Sequence, residues 1–138
     1  MNEGANLFTH RIGIIGGGNM ACSLVGGLTG RGIAPDLLTV AEPLAAQRQL
    51  LEERWRVHTA TDNRAAVHDA TVVVFAVKPQ NMRTVVSEVA SDMRASKAVA
   101  LSIAAGIRVH DLAHWLGATV PVVRSMPNRP ALIGRGIS

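Results

Sequence analysis

Short apolar runs alternate along the chain with segments whose apolar residues recur at helical spacing. Runs of the first kind are typical of strands buried on both faces, and segments of the second kind are typical of the helices that cover them. The strongest run, in TVVVFAVKPQ, has six apolar residues in succession. The pattern predicts six strands, within 11–16, 37–43, 56–63, 71–80, 98–106 and 121–127.

Helices are predicted between these strands, at 19–32, 44–55, 64–70, 81–93 and 108–117. In the second of them, Leu44, Leu50 and Leu51 are expected to face the core, with Gln, Glu and Arg outward. Because strand and helix alternate throughout, the fold class is α/β, with a parallel sheet and right-handed crossovers.

Composition agrees with this class and narrows the possible ligands. Hydrophobic residues make up 48% of the 138 residues and charged residues 17%, which indicates a globular chain. Aromatic residues are only 3%, so the core is built from Val, Ile, Leu, Ala and Met. The 14 Lys and Arg give a net charge of +4 but are scattered. We therefore expect no nucleic-acid partner, whereas a mild positive field favours an anionic small ligand.

Several other classes of site and location are excluded or disfavoured. Cys22 is the only cysteine, which excludes an internal disulfide and a cysteine metal cluster, and we interpret it as a packing residue. His110 and His114 lack the H-E-x-x-H pattern, so no metal site is predicted. Residues 1–10 lack a secretory pattern and are expected to form a flexible tail. No apolar stretch is long enough to cross a membrane, and the expected compartment is the cytoplasm.

A glycine-rich loop follows the first predicted strand, in GIIGGGNMA. It carries Gly16-x-Gly18-x-x-Ala21 between a strand and a helix, which is the context that the dinucleotide fingerprint requires. Gly16 permits a tight turn, Gly18 lets the backbone approach a pyrophosphate, and Ala21 keeps the helix close to the sheet. The loop therefore indicates a Rossmann-type, doubly wound and mainly parallel sheet with helices on both faces.

The end of the second predicted strand bears on the choice of cofactor. Glu42 lies there, where an acidic side chain binds the adenosine ribose in NAD-type sites and repels a 2′-phosphate. Arg48 and Arg64 are candidates to offset that repulsion, and a solvated loop acid is the alternative interpretation of Glu42. The cofactor is therefore NADPH or NADH, with Glu42 in favour of NADH.

Ligands of such sheets bind at the carboxyl ends of the strands. These ends are AVKPQ at 76–80, SIAAG at 102–106 and SMPN at 125–128. Lys78 leaves the strongest strand and is placed to meet an anionic ligand, although it is equally compatible with a surface lysine. The small residues of SIAAG leave room for a flat nicotinamide.

These motifs, in this order, resemble pyrroline-5-carboxylate reductase. Five short motifs carry the resemblance between Arg11 and Ser138: IGIIGGGNMA, TDN, VFAVKPQ, LSIAAGI and RSMPNRPALIGRGIS. The family reduces 1-pyrroline-5-carboxylate to L-proline in proline biosynthesis and favours NADPH over NADH. The resemblance implies that the chain is the cofactor-binding part of such an enzyme.

The resemblance also assigns site residues. It implies that the pyrophosphate is cradled by Ile15, Gly16, Gly17, Gly18, Asn19 and Met20, and that Asn63 contacts the adenosine part. It implies that the nicotinamide side is lined by Ala76, Val77, Lys78, Pro79, Ala104, Ala105 and Gly106, with Asn128 near the substrate. Two positions depart from the family pattern: Arg129 replaces a usual Thr, and Glu42 replaces a small polar residue.

The resemblance further implies a division of the chain. Residues 11–127 form the dinucleotide-binding domain, and 128–138 begin a connection to a C-terminal helical domain that forms the dimer and supplies most of the substrate pocket. Because 11–127 offer no evident acid to protonate the imine, the catalytic residues are expected in that second domain. The 138 residues alone are expected to be inactive, and a homo-oligomer is expected only with the second domain.

Two other functions remain open from the residues themselves. One is a non-catalytic module that binds a dinucleotide and senses the nicotinamide redox state. The other is a different dehydrogenase that shares the Rossmann fold. Turnover of 1-pyrroline-5-carboxylate by the full-length gene product separates the expected function from both.

Overall fold

A computed structural model of the chain describes residues 10–104 and 106–124. Six strands run in chain order: β1 (Ile12–Ile15), β2 (Leu38–Ala41), β3 (His58–Ala60), β4 (Val72–Phe75), β5 (Val99–Ser102) and β6 (Val122–Arg124). Five α-helices connect them: α1 (Asn19–Gly30), α2 (Ala45–Trp55), α3 (Asn63–Val67), α4 (Pro79–Ser96) and α5 (Val109–Leu116). A short 3₁₀ helix, Pro35–Leu37, precedes β2.

All six strands belong to one parallel sheet with the order β3-β2-β1-β4-β5-β6. The chain moves outward from β1 to β3, returns to pair β4 with the other side of β1, and moves outward again. The topological switch point therefore lies between β1 and β4, where ligands of doubly wound sheets bind. The predicted fold class is confirmed.

Alternating side chains of the strands supply two separate cores. Ile14 of β1 packs on one face with α1 and α2, where Leu51 is fully buried. Its neighbour Ile15 packs on the other face with α3, α4 and α5, where Met82 and Leu112 are fully buried. Because successive strand residues point to opposite faces, a nearly continuous apolar run is needed to cover both.

Strand β4 ends earlier, and α4 begins earlier, than the sequence predicts. The apolar run continues past Phe75 to Val77, but Lys78 is the extended residue before α4 and Pro79 is its first residue. Proline suits this position because the first turn of a helix has no partner for its N–H. Helix α4 also continues to Ser96, where Lys97 ends it in a left-handed conformation.

The prediction that three leucines of α2 face the core was wrong for two of them. Leu51 is fully buried, whereas Leu44 is 66% exposed and Leu50 is 44% exposed. Leu44 is the extended residue before the helix, so helical spacing does not apply to it. Leu50 directly precedes Leu51 and is therefore turned by about 100° around the helix axis.

No helix among the described residues has both the length and the apolarity needed to span a membrane.

Candidate functional site

The loops that follow the central strands lie side by side at the carboxyl edge of the sheet. The Gly16 N–H donates to the Ala41 carbonyl (2.9 Å), and the Ala76 N–H donates to the Ile15 carbonyl (2.8 Å). These two hydrogen bonds continue the sheet just beyond β1, β2 and β4. The predicted site segments after these strands are thereby brought together at the switch point.

The three glycines of the loop after β1 have different surroundings. Gly16 has φ +105°, and a Cβ there would lie 2.8 Å from the Ala76 carbonyl oxygen. A Cβ on Gly17 would lie 2.9 Å from the Glu42 Cβ. A Cβ on Gly18 would meet nothing within 4 Å among the described residues. Gly18 therefore faces open space, which is the arrangement that close approach of a ligand to the backbone needs.

The N-terminus of α1 opens into the same space. Gly18 caps the helix, and Asn19 and Met20 in its first turn are exposed. The first turn carries no acidic residue. The first N–H groups of a helix lack intrahelical partners and bear a partial positive charge, so this end of α1 suits a phosphate. Ala21 is fully buried, as expected for the residue that brings α1 close to the sheet.

Glu42, the predicted ribose ligand, is turned toward the glycine loop. Its side chain is buried, and Oε1 accepts a hydrogen bond from the Gly17 N–H (2.8 Å). The other oxygen, Oε2, accepts from the Leu44 N–H (2.9 Å). Burial of a carboxylate without such donors is unfavourable, so these two bonds explain how Glu42 is accommodated. The alternative of a solvated loop acid was wrong.

Of the two arginines predicted to offset Glu42, the structure brings one to it. Arg48 Nη1 donates to the carbonyl oxygens of both Glu42 and Pro43 (each 2.8 Å). Arg64 is directed elsewhere, because its Nε lies 3.2 Å from Oδ2 of Asp92 on α4. The half-buried Arg48 therefore places a guanidinium group at the carboxyl end of β2.

Asn63, the predicted adenosine contact, is the first residue of α3 at the carboxyl end of β3. It is half-buried, and its Nδ2 donates to Oε1 of Glu88 on α4 (2.8 Å). The preceding Asp62 caps α3 by accepting from the Arg64 N–H (3.0 Å). The contact of Asn63 with adenosine stays a prediction.

The residues predicted for the nicotinamide side follow β4 and β5. Ala76 and Val77 are half-buried, whereas Lys78 and Pro79 are exposed at the start of α4. After β5, Ala104 is buried and its N–H donates to Oγ of the buried Ser102 (3.3 Å). Gly106 is exposed with φ +82°. Ala105 and Asn128 lie outside the described residues.

Gln47 belongs to this site although the sequence analysis did not single it out. Its Nε2 donates to the Gly17 carbonyl (2.5 Å) and lies 3.5 Å from Sγ of Cys22. Cys22 itself is half-buried against the core of that face. A polar residue in the first turn of the helix after Glu42 was the available signal, but only the packing of α2 beside α1 gives it this contact.

A pocket of about 760 Å³ runs along α3, from Asp62 and Arg64 at the carboxyl end of β3 toward the amino edge of the sheet. It is lined by Thr71 at the start of β4 and by Ser96 and Lys97 at the end of α4. Because ligands of doubly wound sheets bind at the switch point, and the lining of this pocket includes no residue of the loops after β1 or β4, the glycine loop is the stronger candidate site. Within 10–104 and 106–124, no group of three or more His, Cys, Asp or Glu could hold a metal ion.

Comparison with known proteins agrees with this geometry. A pyrroline-5-carboxylate reductase of Pseudomonas aeruginosa is 43% identical over 130 residues, which are 94% of this chain and 47% of that protein. The enzyme of that name from Escherichia coli is 34% identical over 129 residues, 93% of this chain and 48% of that protein. The structure of a pyrroline-5-carboxylate reductase from Coxiella burnetii superimposes with a TM-score of 0.85 at 36% identity, covering 91% of this chain and 46% of that one.

The resemblance to pyrroline-5-carboxylate reductase is thus confirmed, and the chain spans about half the length of the curated relatives that it matches. The family described as "NADP oxidoreductase coenzyme F420-dependent" matches residues 11–106. This match covers β1 to β5 and the glycine loop, and the chain therefore belongs to that family.

Proposed function

We propose that this chain is the cofactor-binding part of an NAD(P)H-dependent reductase that converts 1-pyrroline-5-carboxylate to L-proline. Support comes from the relatives, which carry this activity in their names and align over nine tenths or more of the chain. Because the chain spans about half of each, the activity is proposed for the whole protein and not for these 138 residues alone.

The observation that carries the cofactor role is the open space at Gly18. Gly16 and Gly17 are required by neighbouring protein atoms, whereas nothing in the described residues lies within 4 Å of a Cβ on Gly18. A glycine that no intramolecular contact requires, at the N-terminus of α1, is best explained by a ligand that approaches the backbone. A pyrophosphate has the charge and the size for this position.

We propose positions along the carboxyl edge for the remaining parts of a nicotinamide dinucleotide. The adenosine ribose is proposed to lie at the end of β2 beside Glu42 and Arg48, with Asn63 at the adjacent strand end. The nicotinamide is proposed to lie on the other side of the switch point, against the segment 76–79 and residues 104–106. Asn128, which follows β6, is proposed to approach the substrate.

When bound, the nicotinamide supplies a hydride from its C4 to the imine carbon. The protein must hold the imine carbon within about 3–3.5 Å of that donor and keep the imine protonated. Glu42 is committed to two backbone N–H groups, and Lys78 is exposed on the loop before α4. We therefore propose that this domain binds and orients the cofactor, and that the proton donor lies in the other half of the protein.

Among the two nicotinamide dinucleotides, we propose a preference for NADPH. The Glu42 carboxylate is buried against the glycine loop, whereas the Arg48 guanidinium lies at the same strand end with further N–H groups to donate. A 2′-phosphate carries up to two negative charges and matches the fork geometry of arginine. Arg48 thus offsets the repulsion that Glu42 alone would exert.

Two measurements test the proposed function. Calorimetric titration of the chain with NADPH and with NADH is expected to give saturable binding, and no affinity for either at millimolar concentration would contradict the cofactor role. The whole protein is expected to form proline from 1-pyrroline-5-carboxylate and NADPH. Binding without turnover by the whole protein would favour a non-catalytic redox-sensing module instead.

A further inference from the structure

The N–H and the carbonyl of Gly17 both bond side chains from the segment that runs from the end of β2 into α2. The Gly17 N–H donates to Glu42 Oε1 (2.8 Å), and the Gly17 carbonyl accepts from Gln47 Nε2 (2.5 Å). Both Gly17 and Glu42 are buried. The two contacts come from the end of β2 and from the first turn of α2, and together they fix the orientation of the central residue of the glycine loop.

The supporting segment is itself held in place. The second carboxylate oxygen of Glu42 accepts from the Leu44 N–H (2.9 Å), which links it to the start of α2. Arg48 Nη1 donates to the carbonyl oxygens of Glu42 and Pro43 (each 2.8 Å). Both carboxylate oxygens of Glu42 therefore accept hydrogen bonds from the protein itself, and the position of the side chain does not depend on a bound ribose.

We propose that Glu42 and Gln47 are positioning residues that hold the glycine loop ready for the cofactor pyrophosphate. The proposal rests on the cofactor role proposed above and extends it. Glycine peptides rotate at little steric cost, so three successive glycines need external contacts to keep one conformation. With Gly17 held, the N–H groups that follow at the start of α1 stay aimed at the phosphate, and less order has to be gained on binding.

This role makes a different prediction from that of a ribose ligand. An acidic residue that binds the ribose hydroxyls stabilises NADH, and its contribution disappears when those hydroxyls are absent. A residue that orients the loop stabilises the complex with every dinucleotide, because all of them present the same pyrophosphate. The dependence of the loss on the ribose hydroxyls therefore separates the two roles.

The experiment measures dissociation constants of the parent chain and of Glu42→Ala for three ligands: NADPH, NADH and an NADH analogue whose adenosine ribose lacks both hydroxyls. Loss of a charge-assisted hydrogen bond is expected to weaken all three by about tenfold. Glu53→Ala, an exposed acid on α2, serves as the matched control and is expected to change none. A loss confined to NADH would overturn the proposal.

Gln47 is tested in the same way against a neighbouring glutamine. Gln47→Ala is expected to weaken the binding of all three ligands by a common factor, whereas Gln49→Ala, which removes an amide that donates to the exposed Glu53, is expected to leave it unchanged. Glu42→Gln keeps an acceptor oxygen for Gly17 and is expected to recover part of the affinity that Glu42→Ala loses. Equal losses in Glu42→Gln and Glu42→Ala would contradict the role of that acceptor.

A measurement without ligand separates failure of this proposal from failure of the proposed function. Hydrogen exchange followed by NMR is expected to show a protected Gly17 amide in the parent and a faster one in Glu42→Ala. Leu112→Ala, a cavity variant in the other core, controls for destabilisation alone, because it speeds exchange throughout the fold. Unchanged Gly17 protection in Glu42→Ala would overturn the proposal even if the parent binds neither NADPH nor NADH.

Discussion

Gly13, in the middle of β1, lies directly against the backbone of Ala66 in α3. A Cβ built on Gly13 would be 1.8 Å from the Ala66 carbonyl oxygen and 2.7 Å from its carbonyl carbon. Helix α3 therefore packs on β1 backbone to backbone, with no side chain in between. This close approach sets the height of α3 above the sheet and, with it, the position of Asn63 at the carboxyl edge.

Gly13→Ala is expected to lower the free energy of unfolding by about 3 kcal/mol, because the new methyl group forces α3 away from β1. Denaturant titration followed by circular dichroism measures the change. Gly27→Ala is the matched control: Gly27 is exposed within α1 and a Cβ there meets nothing within 4 Å among the described residues. Alanine at that site is expected to stabilise the chain by up to about 1 kcal/mol. Equal stability of the two variants would contradict the packing of α3 on Gly13.

Gly18→Val is expected to weaken nucleotide binding strongly while leaving the fold intact. The valine side chain meets no described protein atom within 4 Å of its Cβ, so stability is expected to fall by no more than about 1 kcal/mol, the size of an unfavourable helix cap. It would fill the space proposed for the pyrophosphate and weaken NADPH by about a hundredfold. Calorimetry against Gly27→Val, the same change on the exposed face of α1, gives the comparison. Parent-like affinity in Gly18→Val would place the phosphate elsewhere.

Arg48→Ala is expected to reduce NADPH affinity by about tenfold, or about 1.4 kcal/mol, with a smaller effect on NADH. Two unit charges about 4 Å apart interact by roughly 4 kcal/mol at an effective dielectric constant near 20, and desolvation of the partners offsets part of that gain. Because the effect is electrostatic, the difference between the two cofactors is expected to shrink as salt rises. Arg31→Ala, an exposed arginine after α1, is the control. An unchanged ratio of the NADPH and NADH dissociation constants in Arg48→Ala would show that Arg48 does not bind the 2′-phosphate.

Leu51→Ala is expected to destabilise the chain by about 2–5 kcal/mol, because it leaves a cavity under α2 where the side chain is fully buried. Leu44→Ala is expected to change stability by no more than about 0.5 kcal/mol, since two thirds of that side chain is already exposed. Chemical denaturation of both variants checks the orientation of α2. A large loss in Leu44→Ala would contradict it.

The order of the strands and helices follows closely from the sequence. The apolar runs correspond most closely to the four inner strands, β1, β2, β4 and β5, because a strand covered on both faces must be apolar at nearly every position. The edge strands β3 and β6 were also predicted, but their residues are half-buried or exposed. Boundaries were less accurate: the apolar run at 71–80 continues beyond Phe75, where β4 ends. Apolarity marks contact with the core, and Ala76 and Val77 beyond the end of β4 still pack against the two cores.

The glycine loop shows where sequence patterns stop being informative. Gly16, Gly17 and Gly18 are identical letters in a row, yet the first is required by its φ and by Ala76, the second by Glu42, and the third by no described protein atom. A side chain turns toward whatever space and donors the packed helices leave, and those come from residues distant in sequence. Glu42 was therefore predicted at the correct strand end, but its partners were not.

The sequence by itself determined the α/β class, the position of the dinucleotide fingerprint and the resemblance to pyrroline-5-carboxylate reductase, because hydrophobic period and glycine spacing are local properties. Only the tertiary structure decided that Gly17 bonds both Glu42 and Gln47. It also decided that Arg48, and not Arg64, lies beside Glu42. The packing of α3 against Gly13 was likewise decided only there. The contacts of Gly17 and Gly13 join residues 25 to 53 positions apart in the sequence. At Glu42, two arginines were candidates, and the fold brings only one of them close. Such choices depend on how the helices pack across the sheet, which no local pattern encodes.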